Sequence, residues 1–165
     1  MVFGASAADR TPADTLKEKL RNTVEAGKTM FGHHDDPVYG HTWKYEPGRS
    51  DMLEVSGRYP AVLSWDLGGM ENADSVNLDG VPFSIMKKNV AEQYKRGGIN
   101  TFSWHTRNPI NNNDSWTVTD KTIVAQMMSN PEGYRKQLKR VADFFNSLRD
   151  ENGLSLIHIS EPTRP

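Results

Sequence analysis

An α/β fold with parallel strands is what the sequence predicts, on three observations. Short apolar runs ending in polar or aromatic clusters recur at intervals of a little over thirty residues. Amphipathic stretches carrying helix start and stop signals lie between them, and another precedes the first. Intervals of that length suit strand–helix–strand units, whose strands run in one direction and bear ligand-binding groups at their C-terminal ends. A length of 165 residues fits one domain with a real core.

The elements follow in chain order. Thr11-Pro12-Ala-Asp14 is a helix start, with a threonine cap, proline in the first turn and an acid behind it. Leu16, Leu20 and Val24 then share one face, expected to cover the sheet, and Gly27 is placed to end the helix. Lys28 to Gly32 reads as the first strand, ending in His33-His34-Asp35-Asp36. Gly40 to Gly57 reads as a loop holding a short helix. Pro60-Ala-Val-Leu-Ser-Trp-Asp66 is the second strand and Ile99-Asn-Thr-Phe-Ser-Trp-His105 the third. Between them Pro82 opens a helix with Ile85, Met86, Val90 and Tyr94 on one face, closed by Gly97-Gly98. A polar loop with Asn111 to Asp114 and Trp116 follows. Pro131 then opens a last helix, with Tyr134, Leu138, Val141, Phe145 and Leu148 inward and Gly153 at its end.

Composition excludes several functions. Twenty Lys+Arg against 21 Asp+Glu give no cationic excess for a nucleic-acid backbone. The absence of cysteine removes disulfides, thiolate zinc sites and thiol nucleophiles. With a mean hydropathy of −0.69 and no apolar run near the roughly 20 residues a bilayer requires, no membrane span is expected. Gly68-Gly69 matches neither phosphate-binding glycine pattern, and Ser64 and Ser103 are not in a nucleophile elbow.

The three strand ends carry what chemistry the chain shows. In an extended segment His33, His34, Asp35 and Asp36 alternate sides, so at most one histidine and one aspartate point together. That is too few for a zinc site, and neither a metal nor a cofactor is expected. Trp65-Asp66 and Trp104-His105 repeat an aromatic beside a polar group. Aromatic faces beside Asp, Asn and His suit a polyhydroxylated ligand, with Tyr39, Trp43, Tyr45 and Trp116 in the adjoining loops. Glu54 and Glu71 lie near the rim, but neither ends a strand.

The two ends read differently. Ala5, Ser6, Ala7 and Ala8 have the small side chains of a signal-peptide cleavage region, making residues 1–10 either a leader remnant or an ordinary terminus. Leu154-Ser-Leu-Ile-His-Ile-Ser-Glu-Pro-Thr-Arg-Pro165 resembles a translated sequencing-library adapter and is set apart as a non-native tail.

Phe31-Gly-His-His-Asp-Asp-Pro-Val-Tyr-Gly40, Pro60-Ala-Val-Leu-Ser-Trp-Asp66 and Thr101-Phe-Ser-Trp-His-Thr-Arg-Asn-Pro109 together resemble the N-terminal part of glycoside hydrolase family 26. The resemblance implies that residues 11–153 are about three βα units of a (β/α)8 barrel, a fold that takes about 250 residues. It implies a β-1,4-mannanase acting on mannan, galactomannan or glucomannan with retention, through two glutamates about 5 Å apart. Those end the fourth and seventh strands of the family, so both are expected beyond Gly153, and this chain alone is expected to be inactive. Glu161 is not taken as the acid, because the family's His-Glu pair is adjacent whereas His158 and Glu161 are not. His105 resembles a family histidine that binds sugar in a distal glycone subsite, and Trp116 the aromatic after it. Trp104, Asp66, His34 and Asp36 are assigned to the substrate rim by position. β-1,3-Xylan or mixed-linkage glucan are alternative substrates, and a non-catalytic carbohydrate-binding remnant an alternative role. The family further implies a secreted, periplasmic or cell-surface monomer.

Overall fold

The computed structural model describes residues 11–117, 119–150, 153, 155 and 156. Residues 1–10, His158 and Glu161 lie outside that set, and with them the leader and most of the adapter-like tail. Helix α1 (Pro12–Glu25) is followed by β1 (Gly32–His34), α2 (Asp51–Ser56) and β2 (Val62–Asp66). A 3-10 turn, Met70–Asn72, leads to α3 (Phe83–Lys95), β3 (Ile99–Ser103), α4 (Ile123–Ser129) and α5 (Glu132–Ser147). The strands form one sheet in the order β1-β2-β3, parallel throughout. Chain order equals spatial order, as expected where each connection crosses over the same face.

The helix ends follow their local chemistry. Thr11 caps α1 through a reciprocal box: the Asp14 N–H donates to Thr11 Oγ1 at 3.2 Å and the Thr11 N–H to Asp14 Oδ2 at 3.2 Å. Ser50 caps α2 by accepting from the Leu53 N–H at 3.0 Å. Gly97, at φ 74°, takes the left-handed turn that ends α3 just before β3.

Alternation along the strands divides the sheet. On one face Leu63 and Trp65 of β2 are fully enclosed, met by Met86 and Val90 of α3. Each such side chain contributes on the order of 1.5–3 kcal/mol through burial. Asn100 joins the three elements: its Oδ1 accepts from Trp65 Nε1 at 2.9 Å and its Nδ2 donates to the Val90 carbonyl at 3.0 Å. Helix α5 adds Phe145, edge-on to Phe102 with centroids 5.1 Å apart. On the other face, Val62, Ser64 and Ile99 are half-buried and Thr101 is exposed. Helices α3 and α5 thus cover the same side of the sheet, as in the wall of a barrel.

Several expectations shift. The first strand lies at Gly32–His34, not in Lys28 to Gly32, because its ladder is set by Val62 to Ser64 of β2. The apolar face of α1 is covered only at its first turns: Leu16 is half-buried beside Ile99 and Phe102, while Leu20 is 46% and Val24 75% exposed. Gln137 of α5 is buried where Leu138 was expected. Helix α4 lies between the polar loop and the last helix, where the sequence predicted no element, with Val124 and Met128 turned outward. Within the tail, Ser155 pairs antiparallel with Arg149, and the Leu156 N–H donates to the Leu148 carbonyl at 2.9 Å. Leu156 itself packs against the core.

Candidate functional site

The C-terminal ends of the strands form a polar rim, organised around Asp66 at the end of β2. Its carboxylate is 2% exposed and draws together three segments. Oδ2 accepts from the Ser103 hydroxyl of β3 and contacts His105 Nδ1, both at 2.6 Å. Oδ1 accepts from the Gly68 N–H at 2.7 Å. Gly68 is needed for that approach, since a Cβ there would lie 2.3 Å from Leu78 Cδ2 and 2.9 Å from the carboxylate. Burial pushes the Asp66 carboxyl upward, but the Ser103, Gly68 and His105 donors outweigh it and hold the group below its ordinary range.

With one nitrogen on Asp66, the His105 ring projects outward and stacks on Trp116, centroids 5.2 Å apart and planes 10° from parallel. The Trp116 segment is set by Asp114, whose Oδ1 accepts from the Thr117 hydroxyl at 2.7 Å and from the Thr117 and Trp116 N–H groups. Those donors, the Thr117 hydroxyl foremost, keep the Asp114 carboxyl below its usual range. Trp116 is 66% exposed, so an aromatic face borders the solvent. A cleft of about 240 Å³ opens here between His105, Trp116, Arg107, Asp114, Asp74 and Leu78. Larger hollows of about 430 and 340 Å³ lie elsewhere, one between α1 and the base of β3, the other beside α3. Neither includes any of the strand-end groups.

The other rim candidates divide. Trp104 is half-buried and donates its Nε1–H to Glu71 Oε2 at 3.0 Å, so its ring supports the rim from below. Glu71 also accepts from the Gly69 N–H at 3.0 Å and the Arg107 N–H at 2.6 Å, and its carbonyl from Arg140. A carboxylate so engaged braces the loops after β2 and β3. Asp36 is enclosed too, accepting from the Ser50 hydroxyl and from the Met52 N–H at the start of α2. Sequence reasoning passed over Ser103, Arg107 and Asp114, although Ser103 ends a strand one residue before Trp104 and Asp114 closes the asparagine-rich run.

His34 ends β1 and faces a different partner, the loop after β2. Its Nε2 lies 3.3 Å from Asp35 Oδ2 and 3.4 Å from Asp79 Oδ2. The alternation expected of an extended segment fails here because Asp35 has a left-handed φ of 51°. Its N–H still extends the ladder to the Ser64 carbonyl at 3.1 Å, after which the chain turns. Burial raises the Asp35 carboxyl to about 6, against the opposing pull of His34. These three residues are the one group among those described with donor atoms close enough to hold a metal ion.

The profile described as "Glycosyl hydrolase family 26" matches residues 6–159. The chain belongs to that family. A GH26 β-mannanase from Bacteroides ovatus superposes with a TM-score of 0.81 at 42% identity, over 88% of this chain and 43% of the other. A modular endo-β-1,4-mannanase of Cellulomonas fimi matches with a TM-score of 0.71 at 19% identity, over 87% of this chain and 33% of its own, a likeness of fold. A mannan endo-1,4-β-mannosidase of Bifidobacterium adolescentis is 27% identical over 158 residues, 89% of this chain and 15% of that protein. The family 26 chain therefore spans less than half the length of these relatives, and its one-sided sheet is part of a barrel wall. Among its described residues no helix is long and apolar enough to cross a membrane.

Proposed function

We propose that the whole enzyme to which this chain belongs hydrolyses β-1,4-mannosidic bonds in mannan, galactomannan or glucomannan with retention of configuration. In this reading the present residues supply part of the sugar-binding rim. The observation that carries it is the Asp66–His105–Trp116 arrangement: a buried carboxylate orients an imidazole, whose outer edge and stacked indole face the cleft. Such a surface hydrogen-bonds sugar hydroxyls while the aromatic covers the apolar side of the ring. The relatives named as mannanases favour mannan over β-1,3-xylan or mixed-linkage glucan.

His105 and Trp116 touch substrate, with His34 at the neighbouring strand end. Asp66 positions His105, while Trp104 and Asp36 support the rim from within. The acid/base and nucleophile carboxylates belong beyond Gly153, as the family resemblance implies. In this reading residues 154–165 are a non-native tail that does not supply them, although the family profile runs to residue 159. A polymeric substrate that cannot enter a cell favours export.

Two measurements test this. Affinity electrophoresis of this chain in galactomannan gels is expected to show retardation that His105→Ala abolishes, with no reducing sugar released. The genomic reading frame is expected to continue past residue 153 into an adjacent His-Glu pair. A chain that releases reducing sugar by itself, or a frame lacking that pair, overturns the assignment.

A further inference from the structure

At the end of β1, beside the rim position of His34, lies a buried carboxylate that takes no part in the His105–Trp116 surface. Asp35 is fully enclosed, and neither of its carboxylate oxygens accepts a hydrogen bond from a protein donor. A buried carboxylate lacking donors is costly, and such groups in native proteins are compensated by a partner charge or a metal. One imidazole stands beside it, and the second carboxylate beyond that imidazole adds negative charge to the same place. His34 Nε2 and one oxygen each of Asp35 and Asp79 all lie within 4.8 Å of one another.

We propose that His34, Asp35 and Asp79 form a binding site for a divalent transition ion, zinc being the fitting case. Two of the three donor spacings match the ion, and the third, between the carboxylates, lies within 4.8 Å. Donors bound tetrahedrally at about 2.1 Å stand about 3.4 Å apart, and His34 Nε2 lies 3.3 Å and 3.4 Å from the two carboxylate oxygens. The donor set matches as well: one imidazole with two carboxylates suits zinc, whereas calcium and magnesium favour oxygen alone.

The scaffold holds the donors in place before any ion arrives. The left-handed turn at Asp35 swings its side chain back toward His34, so two successive residues converge. Asp79 is carried by a clamped loop: Asn77 Oδ1 accepts from the Asp79 and Val81 N–H groups at 3.0 and 2.8 Å, and Asn77 Nδ2 donates to the Asp66 carbonyl at 3.1 Å. Supports of this kind are what orient metal ligands in established sites. The His34 and Asp79 side chains are 40% and 33% exposed, which gives an ion a path in and leaves a fourth position for water. Bound there, the ion would tie β1 to the loop after β2 and supply the positive charge that Asp35 lacks.

Native mass spectrometry of the 165-residue chain with equimolar zinc tests this, since one spectrum reports both compactness and bound metal. One zinc per compact chain is expected. Asp79→Asn, at a partly exposed loop position, is expected to weaken uptake by about tenfold or more, while Asp143→Asn on the outer face of α5 leaves it unchanged. His34→Asn is a second variant with the same expected loss. A chain that stays metal-free in every charge envelope overturns the proposal, as does zinc uptake unaltered in Asp79→Asn and His34→Asn.

Discussion

Asp35 and Asp66 stand at neighbouring strand ends, equally hidden from solvent and opposite in electrostatic state. Asp66 takes hydrogen bonds from Ser103 and Gly68 together with the His105 contact, and its carboxyl is held down. Asp35 accepts none, and burial drives its carboxyl up to about 6. Burial alone therefore does not decide whether a carboxylate is a structural anchor. The donors aimed at it do. At β2 the donors come from a glycine turn and the next strand, and the product is an oriented histidine. At β1 the partners are one imidazole and a second acid, the arrangement proposed above to be completed by a cation.

This contrast can be broken by substitution. Asp66→Asn should have the largest effect, since it removes the charge that three partners converge on. A loss of about 3 kcal/mol is expected, read as a lowered urea midpoint at unchanged slope. Asp35→Asn should move the other way in the presence of a chelator at neutral pH. Relief of an uncompensated buried charge is expected to raise stability by about 1 kcal/mol, the same midpoint serving as the measure.

Acid sharpens the comparison further. A carboxyl held below its ordinary value contributes stability that is present above the unfolded value and is lost as pH falls through the folded one. The parent chain should therefore lose stability below about pH 4 more steeply than Asp66→Asn, as circular dichroism at stepped pH would record. The smallest change in stability belongs to Trp116→Ala, at an exposed side chain: within about 0.5 kcal/mol, but with loss of retardation in galactomannan gels. A large fall in stability for that variant would place Trp116 in the fold rather than on the binding face.

How far the sequence could be read depends on whether a feature is local. The cap at Thr11, the glycine stop at Gly97 and the apolar runs of β2 and β3 were legible because each rests on a few neighbouring residues. Gathering of His, Asp and Trp at strand ends was legible for the same reason, being a property of direction along the chain. Register was not: β1 slid to Gly32–His34 because its partners in β2 choose the ladder. Nor was cover, since Leu20 and Val24 have the pattern of a buried stripe and stay open.

Sequence by itself determined the parallel strand–helix plan, the family and the polar rim, because period, punctuation and strand polarity are written in consecutive residues. Tertiary structure alone decided which rim groups work together. Asp66 and His105 are thirty-nine residues apart, His34 and Asp79 forty-five, and such pairs meet only when parallel pairing brings separate strand ends and their loops side by side. It also decided which groups are spent inside, as Glu71 and Asp36 are, for the donors that occupy a carboxylate come from other segments.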